Sequence, residues 1–320
     1  MASNKQLLEI SEILELAKHP SKLIHVDRIL SLNEDGESYP VYSVIIGPKE
    51  GNVPTFGLYG GVHGLERIGC QIITSYLRSL AVQLPWDKGL RNFFQESRIV
   101  SIPVINPAGV ARFTRSNLRG VDLMRNAPVE AVNPFPFISG HRWTPWLPYY
   151  RGKAGEPMEL ENQMLFDFIK KFHYSSEFSI ALDIHSGFGF RDQIWYPYAK
   201  SKELFPQINE TLKVLSIFEE TIPHHVYKIE PQSKNYVVNG DVWDYFFDHH
   251  YQDQKRGNRI FLPLTLELGS WAWIKKNPFQ FFSKSGLFNP VKSHRFSRTM
   301  RRHLLLLDYL RRIVKNNPFF

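Results

Sequence analysis

The 320-residue chain has a single cysteine, Cys70. That excludes an intramolecular disulfide framework and any multi-cysteine zinc site. A metal here would need histidine and carboxylate ligands. No apolar run approaches the ~18 residues of a membrane span. The opening MASNKQLLEISEILELAKHP lacks a basic stretch followed by an apolar one, so no secretory signal is read there. The expectation is a soluble, cytoplasmic protein. Internal repeats and low-complexity tracts are also missing. Hydrophobic residues make up 43% and charged residues 22%, which excludes disorder. No composition break marks a linker, so one domain is expected over 1–320. Within it, 1–40 reads as an N-terminal extension and 290–320 as a basic C-terminal helix.

The net charge is +8, and its distribution is uneven. Lys292, Arg295, Arg298, Arg301, Arg302, Arg311, Arg312 and Lys315 face one acid in that segment, Asp308. A solvated helix face is the plain reading. An anionic partner, such as nucleic acid, a membrane surface or an acidic polymer, is the sharper one. No nucleic-acid-binding motif accompanies the cluster, so nucleic acid is not expected.

Apolar spacing predicts helices over 5–17, 65–80, 159–172, near 201–218 and over 293–315. Strands are expected at 41–46, 55–59, 98–105, 179–184, 194–198 and 260–266. Residues 127–157 are rich in proline and aromatics and read as a long structured loop. Strands alternating with helices argue for a three-layer α/β/α fold with a mixed, mostly parallel central sheet.

Four polar features sit at or just past strand ends: His63-Gly64-Leu65-Glu66, Asn106-Pro107, His185-Ser186 and Glu267. In α/β sheets the ligand site lies outside the carboxyl ends of the strands, so the four are expected to converge. His63 and Glu66, three apart at a turn into a helix, can chelate one ion, and His185 can add a third ligand. Three protein ligands plus water make a catalytic zinc site. A carboxylate at Glu267, inside an apolar strand, is costly unless it belongs to a site; there it would act as a general base. Arg115, Arg119 and Arg125 could line an anion site. His224-His225 and His249-His250 lack a partnering carboxylate pattern and read as solvated surface, while His141 sits in the aromatic loop, where it could approach substrate. Cys70 falls on an amphipathic helix and reads as a buried, inert thiol.

The order and spacing resemble the zinc carboxypeptidases, peptidase family M14. The resemblance rests on His63-x-x-Glu66, Asn106-Pro107-x-Gly109, Arg115-x-Asn117-x-x-Gly120-Val121-Asp122-Leu123-x-Arg125-Asn126, His185-Ser186 and Glu267. It implies one zinc per chain on His63, Glu66 and His185, with Glu267 as general base and acid. It implies Arg115 as the carbonyl-polarising arginine and Arg125 as the clamp on a substrate's terminal carboxylate. Asp122 would support the first ligand histidine. Tyr236 is implied as the active-site tyrosine, with Tyr245 the competing candidate, and Trp243 would help set side-chain specificity. One position departs from the pattern. Met124 stands where the family carries an asparagine that shares the carboxylate clamp, and methionine donates no hydrogen bond. The implied activity is hydrolysis of a peptide amide bond. The start Gly60-Gly61-Val62-His63-Gly64-Leu65-Glu66 also resembles the succinylglutamate desuccinylase and aspartoacylase deacylases. Release of an acyl group from an amino acid is therefore the alternative, and a zinc-binding pseudoenzyme is a third reading. The expected partner is a peptide or acyl-amino-acid substrate with an anionic group.

Overall fold

The computed structural model describes residues 7–253, 258–283 and 285–319. Eight strands form one sheet: β1 (Ile24–Glu34), β2 (Glu37–Ile46), β3 (Thr55–Gly60), β4 (Arg98–Ile102), β5 (Phe178–Ser186), β6 (Gln193–Tyr196), β7 (Lys228–Pro231) and β8 (Ile260–Leu268). The helices in the first half are α1 (Leu8–Ala17), α2 (Arg67–Gln83), α3 (Lys88–Glu96), α4 (Pro107–Arg112) and α5 (Leu160–Phe172). They are followed by α6 (Ile208–Thr221), α7 (Val242–Gln252), α8 (Trp271–Lys276), α9 (Ser293–Arg302) and α10 (Leu304–Asn316).

In space the strands run β1-β2-β4-β3-β5-β8-β6-β7. The central four, β4, β3, β5 and β8, are mutually parallel, while β1/β2, β2/β4 and β8/β6 are antiparallel. The mixed α/β/α sheet expected from the sequence is therefore present. β5 and β8 are buried along their whole length, as central strands covered on both faces should be. One face packs Ile13, Ile72, Leu77, Val214, Leu307 and Leu310 from α1, α2, α6 and α10. The other packs Leu165, Phe168, Phe246 and Phe247 from α5 and α7.

Several boundaries differ from the sequence reading. The span expected as an N-terminal extension reaches into the sheet, because from Ile24 on β1 and the start of β2 form one edge of it. β4 ends at Ile102 rather than at 105: Pro103 lacks an amide hydrogen for the ladder, and the chain turns toward Asn106. The helix expected near 201–218 begins only at Ile208. The C-terminal helix is two helices broken at His303. Its basic residues are partly used by the fold: Arg302 pairs with Asp192, Lys315 with Glu96, and Arg311 lies over the Phe93 ring. β1, β7, α3, α4 and α7 carried no sequence expectation. Among the described residues no helix is long and apolar enough to cross a membrane.

Candidate metal centre and active-site cavity

Strand periodicity decides which side chains share a face. On β5, Ile180, Leu182 and Ile184 enter the core beneath α2 and α10. Asp183 and His185 therefore project from the opposite face. On β8, Leu264, Leu266 and Leu268 join the same first core, so Thr265 and Glu267 share a face with Asp183 and His185. The register sets His185 directly beside Glu267.

His63 and Glu66 come from the turn between β3 and α2. That turn presses against α4, and a Cβ on Gly64 would lie 1.9 Å from the Gly109 carbonyl carbon. Asn106 locks the contact. Its Nδ2 donates to the Val62 carbonyl at 3.2 Å, and its Oδ1 accepts from the Gly109 amide at 2.8 Å as the cap of α4. This is the physical reason for Asn106-Pro107-x-Gly109: it holds the loop that presents His63.

Glu66 bridges the two histidines. Its Oε1 lies 2.9 Å from His63 Nδ1 and its Oε2 3.0 Å from His185 Nδ1. Oε2 also accepts from the Ser186 amide at 2.9 Å. The ligand atoms of His63, Glu66 and His185 all lie within 4.8 Å of one another. Each imidazole engages a buried carboxylate through its far nitrogen: His63 Nε2 is 3.0 Å from Asp122 Oδ1, and His185 Nε2 is 2.7 Å from Asp183 Oδ2. When the Nε2 hydrogen is donated there, each Nδ1 lone pair points at Glu66. A lone pair and a carboxylate oxygen attract only through a proton or a metal cation between them. Two nitrogens and one carboxylate, oriented from behind by further carboxylates, are a donor set that suits zinc with a position left open.

The surrounding charges are strongly coupled. Burial would raise the Glu66 carboxyl, but the two imidazoles hold it well below the usual carboxylate range. Burial likewise opposes ionisation of Asp122, yet Arg115 and His63 hold it well below that range. His185 goes the other way. Burial disfavours its charged form, and Asp183 and Glu66 override this and raise its proton affinity well above the ordinary value. Burial, then the charge of Glu66, pushes Glu267 well above the usual carboxylate range, although its Oε1 accepts from the Phe188 amide at 3.0 Å. Arg115 donates through Nε to Asp122 Oδ2 at 2.8 Å and sits 3.7 Å from Glu66.

These groups open into one cavity of about 480 Å³, lined by His63, Glu66, His185, Glu267, Arg115, Arg125, Tyr236 and Met124, among others. Tyr149 lies between the two arginines, with their guanidinium carbons 5.1 Å and 5.8 Å from its ring centroid. It holds a left-handed backbone, φ +70°, a conformation that costs energy in a side-chain-bearing residue and clusters at functional sites. Arg125 is buried, and its Nε finds no hydrogen-bond partner among the described residues. Away from the metal ligands, Phe188, Trp195 and Tyr236 meet edge to face with centroids 5.5–6.0 Å apart. Burial pushes the Tyr236 hydroxyl up to about 12. Tyr245 packs on Phe166 and Phe246 instead, so of the two tyrosine candidates Tyr236 reaches the cavity.

Trp243 does not line the cavity, against expectation. It lies on the first turn of α7, where Asp241 caps the helix. Its ring packs against Tyr59, and its indole N–H donates to Asp183 Oδ2 at 2.8 Å. It touches the group that orients His185 rather than a substrate side chain. Asp183 itself was missed by the sequence reading, although its place two residues before His185 puts both on one strand face. Tyr149 and Trp195 carried no local signal. His250 is buried against Tyr174 and Phe261 rather than solvated. His141 is buried, its ring stacked against both Phe137 and Trp143. Cys70 is buried, and burial pushes its thiol well up, as an inert core thiol requires.

Residues 22–272 match the zinc carboxypeptidase family model. Carboxypeptidase SOL1 of Arabidopsis thaliana is 24% identical over 115 residues, 35% of this chain and 23% of that protein. The chain thus spans less than a quarter of that relative's length. Thrombin activatable fibrinolysis inhibitor superposes with a TM-score of 0.69 at 18% identity, over 96% of this chain and 73% of that one. Carboxypeptidase A from Helicoverpa armigera superposes at 0.66 and 17% identity, over 96% and 72%. These structures share the fold, and the family match covers most of the sequence, including every metal-ligand candidate and Glu267. The chain belongs to the zinc carboxypeptidase family, peptidase family M14.

Proposed function

We propose that this chain is a zinc-dependent metallocarboxypeptidase-type hydrolase that cleaves an amide bond of a peptide, with one zinc per chain. The observation that carries the reading is convergence. The His63–Glu66–His185 cluster, the buried Glu267 and the two arginines all open into one cavity. Zinc bound there would supply a Lewis acid that activates water and polarises a carbonyl. The remaining work falls to the chain. Glu267, held by the Phe188 amide, takes the proton of the attacking water. It then delivers that proton to the leaving amine. Arg115, fixed by Asp122, presents its charge to the developing oxyanion. Arg125, whose Nε has no hydrogen-bond partner among the described residues, offers its guanidinium to an anionic group on the leaving side.

Met124 favours a second reading. It lines the cavity beside Arg125, where it adds apolar surface and no donor. A weakened clamp supports an N-acyl amino acid deacylase of the succinylglutamate desuccinylase or aspartoacylase type. A pseudoenzyme is disfavoured, because Glu267 and Arg115 both keep their place at the cavity.

The test is incubation of the zinc-loaded protein with matched peptides carrying free or amidated C-termini, read by mass spectrometry. Loss of single residues from free ends alone supports the carboxypeptidase reading. Turnover of N-acyl amino acids with no peptide shortening supports the deacylase. In either case Glu267→Gln should lower turnover by about 10²–10⁴-fold with zinc content unchanged. Retained activity in that variant would refute the base assignment.

A further inference from the structure

The mouth of the catalytic cavity is flanked by apolar side chains that stand in water. Among the described residues, eight of the eleven exposed aromatics lie on two faces that border it. One is the 127–157 loop, whose Ile138, Pro148 and Tyr149 line the cavity and whose Phe135, Trp143 and Trp146 are exposed. The other joins two stretches of chain: residues 187–190, which start at the cavity wall, and α8 with the turn after it. There Phe190, Trp271, Phe279, Phe281 and Phe282 are exposed, with Phe279 at 85% and Phe282 at 84%. Scattered apolar residues on a surface need no explanation, but a cluster around a site opening does.

The stretch that begins just before α8 is also charged in one sense. From Leu268 to Leu307 there are forty residues without an Asp or Glu and with eight Lys or Arg. Arg302 is used by Asp192, and Arg295 by the Trp273 carbonyl; the latter contact sets the start of α9 against α8. Lys275, Lys276, Lys292, Arg298 and Arg301 are exposed and form no ion pair among the described residues. A groove of about 500 Å³ runs beside the cavity wall, lined by Phe190, Trp271, Ile274, Lys275, Phe281 and Leu287. Lys275 apart, its lining is apolar. It offers almost nothing to hydrogen-bond base or sugar edges, but it suits hydrocarbon. Aromatic side chains that insert at the headgroup level, ringed by bases that attract anionic headgroups, are the chemistry of interfacial docking.

We propose that the Trp271–Phe282 rim, with Lys275, Lys276, Lys292 and Arg298, docks this protein on an anionic lipid surface. The cavity mouth then faces the bilayer, and membrane-associated substrates gain access. The docking itself does not depend on which amide is cleaved.

The test is co-flotation of the full chain with phosphatidylcholine vesicles, with mixed phosphatidylcholine–phosphatidylglycerol vesicles, and, separately, retention on a single-stranded oligonucleotide. The expected result is binding to the mixed vesicles, weaker binding to the neutral ones, and release by salt. Phe279→Ser/Phe281→Ser/Phe282→Ser and, independently, Lys275→Glu/Lys276→Glu should each weaken vesicle binding by about ten-fold or more. Circular dichroism and zinc uptake should match the parent, since none of these residues lines the catalytic cavity. No flotation with mixed vesicles, or flotation that neither variant alters, overturns the proposal. So does oligonucleotide retention lost in the lysine variant without any vesicle binding, which would assign the surface to nucleic acid.

Discussion

Asp183 offers the sharpest test of how the chain orients its proposed metal ligands. One oxygen, Oδ2, accepts from His185 Nε2 at 2.7 Å and from Trp243 Nε1 at 2.8 Å. The other, Oδ1, is buried with no hydrogen-bond partner among the described residues. Asp183→Ala removes the acceptor behind the ligand histidine and strands the indole N–H. A hydrogen bond to a charged group contributes about 1.5–3 kcal/mol, so zinc affinity should fall about 10–100-fold. Asp183→Asn keeps an oxygen at the Oδ2 position and loses only the charge, so a smaller loss, about ten-fold or less, is expected. Its amide nitrogen would occupy the unpartnered Oδ1 position and cost about 1–3 kcal/mol of stability. That cost is the same with and without zinc, so it lowers the melting temperature without lowering affinity. Trp243→Phe keeps the ring on Tyr59 and removes one donor, and should cost a few-fold. The assay is zinc competition against a chromophoric chelator, with denaturant unfolding of each variant in parallel. Equal zinc affinity in the parent and in Asp183→Ala would refute the claim that Asp183 orients His185.

Three further outcomes follow from particular contacts. Met124→Asn restores a donor beside Arg125 and should lower the KM for free-ended peptides by about ten-fold, or about 1–2 kcal/mol, with zinc content unchanged; steady-state kinetics on free and amidated peptides would reveal it. Gly64→Ala places a Cβ 1.9 Å from the Gly109 carbonyl carbon, so the His63 turn must shift; loss of stability together with weaker zinc binding is expected, read by thermal melts with and without metal. His303 sits buried at the α9–α10 junction with Nδ1 on the Tyr227 hydroxyl, and burial holds its pKa down to about 4. Its unfolded value is about 6.5. A depressed histidine stays neutral in the fold while the unfolded chain takes a proton. Its stabilising contribution is therefore complete above about pH 6.5 and lost as pH falls toward about 4, a change of about 3 kcal/mol. His303→Gln should flatten this part of the stability–pH curve, and superimposable slopes for parent and variant would argue against it.

Much of the fold and site was legible along the chain, for local reasons. Apolar periodicity located α1, α2, α5, β3, β5 and β8, because their buried faces repeat at helical or strand spacing. The metal-ligand candidates could be read because each sits at a strand end beside a glycine or polar break. The misses share a cause. Edge strands β1 and β7 alternate weakly, since only part of each is buried. α7 mixes aromatics with Asp and His, so its sequence reads as polar although Val242, Trp243, Phe246 and Phe247 are buried. Misreading that segment also misplaced Trp243.

The sequence by itself determined the chemistry available: two histidines and two carboxylates able to converge at strand ends, with arginines held in a fixed order. It also determined which residues of β5 and β8 share a face, because a strand's period is two and the apolar partners are plain. Tertiary structure alone decided what stands behind and around those groups. The carboxylate behind His185 is itself oriented by a tryptophan sixty residues away, and Tyr149 slots between two arginines from another loop. The basic, acid-free stretch is divided between residues the fold uses and residues left exposed. Local pattern reflects the free energy of burying one face of one element. The partners across that face are fixed only when the sheet order brings distant segments together.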